Sequence, residues 1–207
     1  MSFLPSGTVY GVLLNFRKEV EALAPQMNQP PYKAPPKAPV LYVKTANTWS
    51  PHGSAIAVPA RVPEVEVGAT VAMVIGADND VEGFVLMNDL SIPHTSFFRP
   101  PVKFKCLDGF LGIGPAMRDA QEVADPSEFK LEVRINGELR QSVDFSQTVR
   151  SAAQLLADVG AFMTLQHGDV LMLGCDAGRP LARAGDRIEI SGPGFEPLVN
   201  TLVKEEA

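Results

Sequence analysis

The most constraining feature of this sequence is a pair of apolar, β-branched runs separated by one short polar segment. VGATVAMVIG (67–76) and GFVLMND (83–89) stand on either side of ADNDVE (77–82). β-Branched residues favour strands, and the polar residues between the runs are typical of a turn. Because VAMVIG does not alternate between polar and apolar residues, we expect a central strand that is buried on both faces of a sheet.

Strand-like patterns also occur along most of the remaining chain. Residues 129–145 contain two alternating runs around Asn136-Gly137, which is the strongest short hairpin signal in the sequence. The other strand-like segments are 8–15, 40–44, 55–59, 168–174 and 186–203, the last being a pair of strands around a Gly-Pro-Gly turn. The sequence therefore predicts a mainly β (α+β) fold with few helices.

Two helices are predicted, and a proline-rich segment follows the first. The first helix covers 17–24, and the second carries apolar residues at helical spacing from Val149 to Met163. Ser146 or Thr148 is available as the N-cap of the second helix. Residues 25–39 hold six prolines, which disfavour both a helix and a central strand. We interpret this segment as an extended surface arm, with a flexible linker as the alternative.

Composition narrows the classes of function. The 207 residues are 45% hydrophobic with a formal charge of −6, which fits a single folded domain over 1–207 and disfavours nucleic acid as a partner. No apolar run approaches the length of a membrane span, and the N-terminus lacks the features of a signal peptide, so a cytoplasmic protein with no membrane partner is expected. Cys106 and Cys175 do not resemble a secreted disulfide framework.

Two charged side chains beside apolar segments are candidates for chemistry. Asp89 ends the run GFVLMND, so its carboxylate should emerge at a strand end, in the kind of position that Mg²⁺ favours. The alternative is that Asn88-Asp89 caps the following turn. Lys105 lies in the alternating run KFKC and is either a partner for a substrate carboxylate or a solvated lysine.

Several segments together resemble the fumarylacetoacetate hydrolase family from residue 8 nearly to the C-terminus. They occur in family order: VYGVLLNF (9–16), VLYVKTANT (40–48), GATVAMVIG (68–76), GFVLMND (83–89), KCLDGF (105–110), NGELRQ (136–141), FMTLQHGDVLMLG (162–174) and AGDRIEI (184–190). The resemblance implies a rolled, mixed β-sheet with few helices and an active site in the mouth of the roll. It also implies a divalent ion, Mg²⁺ or Mn²⁺, that chelates a 2-oxo acid and stabilises an enolate.

The family pattern assigns roles to particular residues of this chain. It makes Asp89 a metal ligand and Lys105 the active-site lysine that holds negative charge on the substrate. The residues that it implies for substrate binding are Asn15, Phe16, Lys44, Arg99 and Asp108. The ligand expected from this pattern is a small dicarboxylic or tricarboxylic 2-oxo or 2-hydroxy acid.

The chain departs from the family pattern at several positions where the family has functional residues. Gly68 and Thr70 stand where two metal-binding glutamates belong, so an incomplete metal site is expected, with no metal in this chain as the alternative. Glu64 and Glu66 form a similar Glu-x-Glu pair, but it lies four residues upstream. Four residues of an extended strand span about 13 Å. The acid/base His and Glu of the family's hydrolases fall on Glu19 and Ala22, and the family's late Thr-Pro becomes Cys175-Asp176. A hydrolase would therefore lack its base.

Two hypotheses for function follow from the matches and the departures. YKAPPKAPVLYVKTANT and FFRPPVKFKCLDGF are most similar to the branch of the family that acts in homoprotocatechuate breakdown. That branch decarboxylates 5-oxopent-3-ene-1,2,5-tricarboxylate and isomerises 2-hydroxyhepta-2,4-diene-1,7-dioate, which implies an enzyme subunit. The alternative is a non-catalytic partner of a metal-complete sister subunit. Either role implies a homodimer or a heteromer.

Overall fold

The computed structural model describes residues 3–96, 98 and 100–205. Within these ranges the chain forms fifteen strands and three α-helices. The helices are α1 (Arg17–Met27), α2 (Val102–Lys105) and α3 (Ala152–Gly160). The strands are β1 (Val9–Leu13), β2 (Val40–Lys44), β3 (Trp49–Pro51), β4 (Ala55–Val58), β5 (Val65–Glu66), β6 (Ala69–Ile75), β7 (Val81–Asp89), β8 (Leu111–Ile113), β9 (Arg118–Asp119), β10 (Lys130–Ile135), β11 (Glu138–Asp144), β12 (Val170–Met172), β13 (Leu181–Ala182), β14 (Arg187–Ser191) and β15 (Leu198–Lys204).

The strands form two main sheets, which confirms the prediction of a mainly β fold. The larger sheet has the order β2-β1-β12-β6-β7-β8-β3, with β9 paired to β7. The second sheet has the order β11-β10-β14-β15-β4, and β13 pairs with β5. Both sheets are mixed, because β1 and β12, β3 and β8, and β15 and β4 pair in parallel while their other neighbours are antiparallel.

Strand β6 lies in the middle of the larger sheet and is buried on both faces, as its unbroken apolar sequence predicts. All seven of its residues are buried. Val71 and Met73 belong to the core that contains residues of the second sheet, whereas Ala72 and Val74 belong to the core that contains Leu23 and Met27 of helix α1. Complete burial of a large aliphatic side chain stabilises the fold by about 1.5–3 kcal/mol. The larger sheet is therefore the layer around which both cores assemble.

The hairpin between β10 and β11 turns at Asn136-Gly137. Both residues have positive φ angles, 53° at Asn136 and 84° at Gly137. Asn and Gly are the residues that adopt this left-handed conformation most readily, so the observed turn follows from the dipeptide. The predicted hairpin is confirmed.

The structure corrects the predicted limits of both longer helices. Helix α1 continues through Pro25 to Met27, although the proline-rich segment was predicted to leave the helix there. Pro25 removes one backbone hydrogen bond near the C-terminal end, and burial of Met27 offsets the loss. Helix α3 is capped by Ser151, whose hydroxyl accepts a hydrogen bond from the backbone N–H of Gln154, and not by Ser146 or Thr148.

The segment after α1 runs over the surface. Residues 28–39 contain neither helix nor strand and are mostly exposed. One contact that holds this segment is a hydrogen bond from Arg150 Nη2 to the carbonyl oxygen of Lys37, at 2.9 Å. In the described part of the chain, no helix has the length and apolar character needed to cross a membrane.

Candidate active site

Asp89 is the last residue of β7, and its carboxylate lies in the protein interior with only 1% exposure. Two lysines converge on it. Lys44 Nζ lies 2.9 Å from Asp89 Oδ1, and Lys105 Nζ lies 2.6 Å from Asp89 Oδ2. The structure thus brings together three residues that the sequence selected from segments far apart in the chain.

Lys44 ends β2 and is held by several acceptors. Its ammonium group donates to the carbonyl oxygens of Leu90 (3.0 Å), Lys105 (2.5 Å) and Phe110 (2.7 Å). Burial lowers the pKa of Lys44, and the charge of Asp89 partly opposes that shift. Because all of these partners are protein groups, Lys44 positions the surrounding loops and has little capacity left for a ligand.

Lys105 reaches Asp89 from a helical turn, which corrects the interpretation of KFKC as an extended run. Helix α2 covers Val102–Lys105, and the N–H of Lys105 bonds to the carbonyl oxygen of Pro101 at 2.9 Å. Four alternating residues are too few to separate a strand from a helix, so the pattern was ambiguous. The turn leaves Lys103 exposed and buries Lys105 against Asp89.

Tyr42 is a site residue that the sequence analysis did not identify. Its hydroxyl donates a hydrogen bond to Asp89, and its ring lies under Lys105 Nζ, 4.9 Å from the ring centroid. Tyr42 precedes Lys44 by two residues in β2, so both side chains point to the same face. Gly11 is its partner in β1, and a Cβ at Gly11 would lie 2.1 Å from Tyr42 Cζ. A glycine within an apolar strand was the available signal for this close approach.

The charges of this cluster settle the protonation state of Asp89. Burial alone would raise the pKa of Asp89, but the ammonium groups of Lys105 and Lys44 outweigh it and hold the pKa well below its usual range. Burial and the charge of Asp89 raise the pKa of Tyr42 well above its ordinary value. Tyr42 is therefore a neutral donor to an ionised carboxylate, and the cluster has a formal charge of +1.

Gly68 and Thr70, at the two positions expected for metal-binding glutamates, are closely packed. A Cβ at Gly68 would lie 2.5 Å from the carbonyl oxygen of Asp89 and 3.0 Å from Cys175 Sγ. The hydroxyl of Thr70 donates to the carbonyl oxygen of Gly174 at 2.6 Å. Burial, with the charge of Asp89, raises the pKa of the Cys175 thiol to about 12. These positions are thus filled by neutral groups and by backbone.

A second charged cluster, formed by Arg179, Glu19 and Glu66, adjoins the first. Arg179 Nη2 lies 2.5 Å from Glu19 Oε1, and Arg179 Nη1 lies 3.6 Å from Glu66 Oε2. Cys175 joins the two clusters, because its carbonyl oxygen is 3.4 Å from Arg179 Nη2 and its Sγ is 4.0 Å from Asp89 Oδ2. The sequence analysis did not identify Arg179, whose loop carries no motif beyond its glycine and proline neighbours.

A cavity of about 260 Å³ lies over the second cluster. Helix α1 contributes Glu19 and Leu23 to its wall, residues 177–179 form another side, and His94 and Glu66 complete it. Burial raises the pKa of Glu19, against the opposing charge of Arg179. The cavity therefore combines apolar walls, a guanidinium group and a carboxyl group that holds its proton more tightly than usual, which suits an organic acid.

Asn15 and Phe16, two residues expected to bind substrate, make structural contacts. Asn15 Nδ2 donates to the carbonyl oxygen of Leu173 at 2.8 Å, and Asn15 Oδ1 accepts from the N–H of Arg150 at 3.0 Å. The ring of Phe16 is fully buried and packs edge-on against Phe145, with 5.4 Å between centroids. Their role in substrate binding stays a prediction.

The two remaining predicted substrate residues lie elsewhere. Asp108 is exposed, and its carboxylate accepts a hydrogen bond from Asn47 Nδ2 at 2.6 Å. This bond joins the loop after α2 to the turn after β2. Arg99 lies outside the described residues.

The residues present do not fit the divalent ion that the family resemblance implies. Asp89 already contacts two ammonium groups, and Gly68 and Thr70 offer no carboxylate. Glu66 pairs with Arg179, and Glu64 lines a different cavity beside Arg140 and Arg183. Across the described ranges, no cluster of three or more His, Cys, Asp or Glu side chains is placed to hold a metal.

Sequence comparison identifies a family profile and curated relatives that match this chain. The profile described as "Fumarylacetoacetate (FAA) hydrolase C-terminal" matches residues 8–203. The 4-hydroxyphenylacetate degradation bifunctional isomerase/decarboxylase of Salmonella dublin is 37% identical over 97% of this chain, which corresponds to 48% of that relative. The chain thus spans about half the length of this curated relative.

Solved structures share the fold. The 5-carboxymethyl-2-hydroxymuconate delta-isomerase from Mycobacterium smegmatis superposes with a TM-score of 0.81 at 24% identity, covering 100% of this chain and 82% of that one. A fumarylpyruvate hydrolase from Pseudomonas aeruginosa, in complex with Mn²⁺ and pyruvate, has a TM-score of 0.79 at 21% identity, with 96% and 90% coverage. The mixed β-sheet fold described above is the architecture common to all three chains.

Proposed function

The chain belongs to the fumarylacetoacetate hydrolase family, and we propose that it is a subunit of an aromatic-catabolism enzyme within that family. Its proposed reaction is the decarboxylation of 5-oxopent-3-ene-1,2,5-tricarboxylate, the isomerisation of 2-hydroxyhepta-2,4-diene-1,7-dioate, or both. The observation that carries this proposal is the 37% identity, along nearly the whole chain, to a relative named as an isomerase/decarboxylase of 4-hydroxyphenylacetate degradation.

The two charged clusters support a decarboxylation. When the C–C bond to the leaving carboxylate breaks, its electron pair moves onto the conjugated carbonyl group and creates an enolate. Positive groups fixed in a low-dielectric site stabilise such a developing charge most strongly, because they need no reorganisation. Lys105, which is buried against Asp89, and Arg179, which lines the cavity, are the cations proposed for this role.

Glu19 supports the isomerisation. Moving a double bond along a dienol requires one group that removes a proton from one atom and returns it to another. The pKa of Glu19 is raised by burial, and Glu19 lines the cavity together with Arg179. In the family resemblance this position belongs to the acid/base histidine of the hydrolases, so Glu19 is the proposed proton carrier.

The test uses two lysines from the same helical turn. The purified chain is incubated with the tricarboxylate, and release of CO2 and the change in ultraviolet absorbance are followed. Lys105→Met should lower kcat/KM by about 100-fold or more, the usual effect of removing a charge-stabilising donor. Lys103→Met, at an exposed position two residues earlier, should leave it unchanged. Full activity in Lys105→Met would contradict the proposal.

A second candidate function is that of a non-catalytic partner of a sister subunit. It is favoured by the loss of the expected metal ligands at Gly68 and Thr70. Under this proposal the chain forms a heteromer and turns over nothing by itself. Sedimentation and activity assays of the chain alone and mixed with the sister subunit separate the two functions, because only the partner role requires the mixture.

A further inference from the structure

We infer that Arg179 is the receptor for the substrate's negatively charged oxygens, in the role that a divalent ion would otherwise have in this fold. The inference rests on the proposed function, because it assumes that the cavity accepts an organic acid. It is carried by three observations: an unused donor on Arg179, the unequal strength of the contacts that hold its guanidinium group, and the total charge of the two clusters beside the cavity.

The first observation is an unused hydrogen-bond donor. The side chain of Arg179 is 10% exposed, and its Nε is buried without a hydrogen-bond partner among the described residues. A buried donor left without an acceptor costs about 1–3 kcal/mol. Arg179 lines the cavity, so a carboxylate or enolate oxygen that displaces Glu66 and turns the guanidinium group would supply the missing acceptor.

The second observation is the strength of the contacts that hold Arg179. Glu19 lies 2.5 Å from Nη2, whereas Glu66 lies 3.6 Å from Nη1 and its side chain is 23% exposed. Glu19 therefore anchors the guanidinium group, and the loose contact with Glu66 is the one that a ligand can replace. A planar guanidinium group matches the geometry of a carboxylate better than an ammonium group does.

The third observation concerns the total charge around the cavity. Lys44, Lys105 and Asp89 carry a formal charge of +1, and Arg179, Glu19 and Glu66 carry −1. The two clusters therefore sum to zero, and an anion that displaces Glu66 from Arg179 takes over the negative charge that Glu66 supplied. The protein's own cations therefore supply the positive charge.

Close packing around Gly68, Thr70 and Asp89 prevents a metal from taking this role. A side chain at Gly68 would meet the backbone of Asp89 at 2.5 Å, so a glutamate there requires the strand end to move. The hydroxyl of Thr70 is bonded to Gly174, and both oxygens of Asp89 face lysines. Among the described residues that line the cavity, Arg179 is the cation with an unbonded donor.

The test is calorimetric titration with oxalate, a small planar dianion that has the shape of an enolised 2-oxo acid. The whole chain is used in EDTA. Arg179→Lys keeps the charge and loses the fork of donors, and we expect its affinity to fall at least about 10-fold, as for loss of one charged hydrogen bond. Arg183→Lys is the matched control at an exposed position and should bind as the unchanged chain does.

Melting curves and oxalate titration of a double variant complete the test. Arg179→Gln alone leaves Glu19 buried without its charged partner, although the backbone N–H of Leu14 still donates to Glu19 Oε2. Arg179→Gln with Glu19→Gln therefore removes both charges together, and melting curves establish that it folds. This double variant should not bind oxalate. The inference is overturned by equal affinity in Arg179→Lys, by no oxalate binding in EDTA, or by Mn²⁺ alone binding to the unchanged chain.

The outcomes distinguish the inference from the proposed function. Oxalate binding that depends on Arg179, in a chain that does not convert the tricarboxylate, would overturn only the proposed function. Conversion of the tricarboxylate with unchanged oxalate affinity in Arg179→Lys would overturn only the assignment of Arg179.

Discussion

Replacing Asp89 by Asn tests how the buried lysines are stabilised. The substitution keeps the size of the side chain and removes the negative charge that Lys44 and Lys105 share. Lys44 keeps three carbonyl acceptors, whereas Lys105 loses its charged partner at 1% exposure. Removal of one member of a buried ion pair costs about 3–5 kcal/mol, and we expect a loss of stability of this size.

The assay is equilibrium unfolding in urea at neutral pH. With an m-value of about 2 kcal/mol/M, the loss corresponds to a shift in the midpoint of about 2 M. Asp78→Asn, in the exposed turn between β6 and β7, is the matched control and should change stability by less than about 0.5 kcal/mol. A loss below about 1 kcal/mol in Asp89→Asn would refute the described pairing.

A double-mutant cycle isolates the pair between Asp89 and Lys105. Lys105→Met removes the ammonium group at similar volume, so it should recover part of the stability lost in Asp89→Asn. Residues in direct contact show interaction energies of about 0.5–3 kcal/mol, and this buried pair should fall in the upper half of that range. Additive effects would mean that the two side chains do not interact.

Three further predictions follow from the same contacts. Gly11→Ala should destabilise the fold by about 1–3 kcal/mol in thermal unfolding, because its Cβ would overlap the ring of Tyr42; an unchanged melting temperature would contradict this packing. A thiol reagent at pH 8 should modify the partly exposed Cys106 and leave Cys175, whose pKa is raised to about 12 by burial, unmodified until unfolding. Burial opposes ionisation of Asp89 but its lysine partners lower the pKa, so its contribution to stability is present above about pH 4 and is lost as the pH falls further. Urea midpoints measured from pH 6 to pH 2 should therefore fall more steeply for the unchanged chain than for Asp89→Asn, and parallel curves would contradict that shift.

The sequence predicted those parts of the fold that depend on local chemistry. The strand 69–75 followed from its unbroken apolar run, and the hairpin followed from Asn136-Gly137, whose backbone angles few other residues adopt. The limits of the helices were predicted less well. Pro25 is tolerated because tertiary burial of Met27 outweighs one missing hydrogen bond, and this packing is not visible in a local pattern.

The candidate site was predicted in part, for a similar reason. Asp89 and Lys105 stood beside an apolar strand and a turn, Lys44 followed from the family resemblance, and the structure brings the three together. Tyr42 shares a strand face with Lys44, so its position was deducible from the period of the strand. The position of Arg179 was not deducible from the sequence, because its contacts with Glu19 depend on how a loop folds over helix α1. Long-range charge pairs of this kind have no signature in the spacing of residues.

We propose that this site uses the protein's own cations to handle a small organic acid. The most direct measurement is the rate of conversion of 5-oxopent-3-ene-1,2,5-tricarboxylate by the purified chain, first in EDTA and then with added Mn²⁺. We predict the same rate in both conditions, because Lys105 and Arg179 supply the positive charge. A rate that vanishes in EDTA and returns with Mn²⁺ would contradict the account.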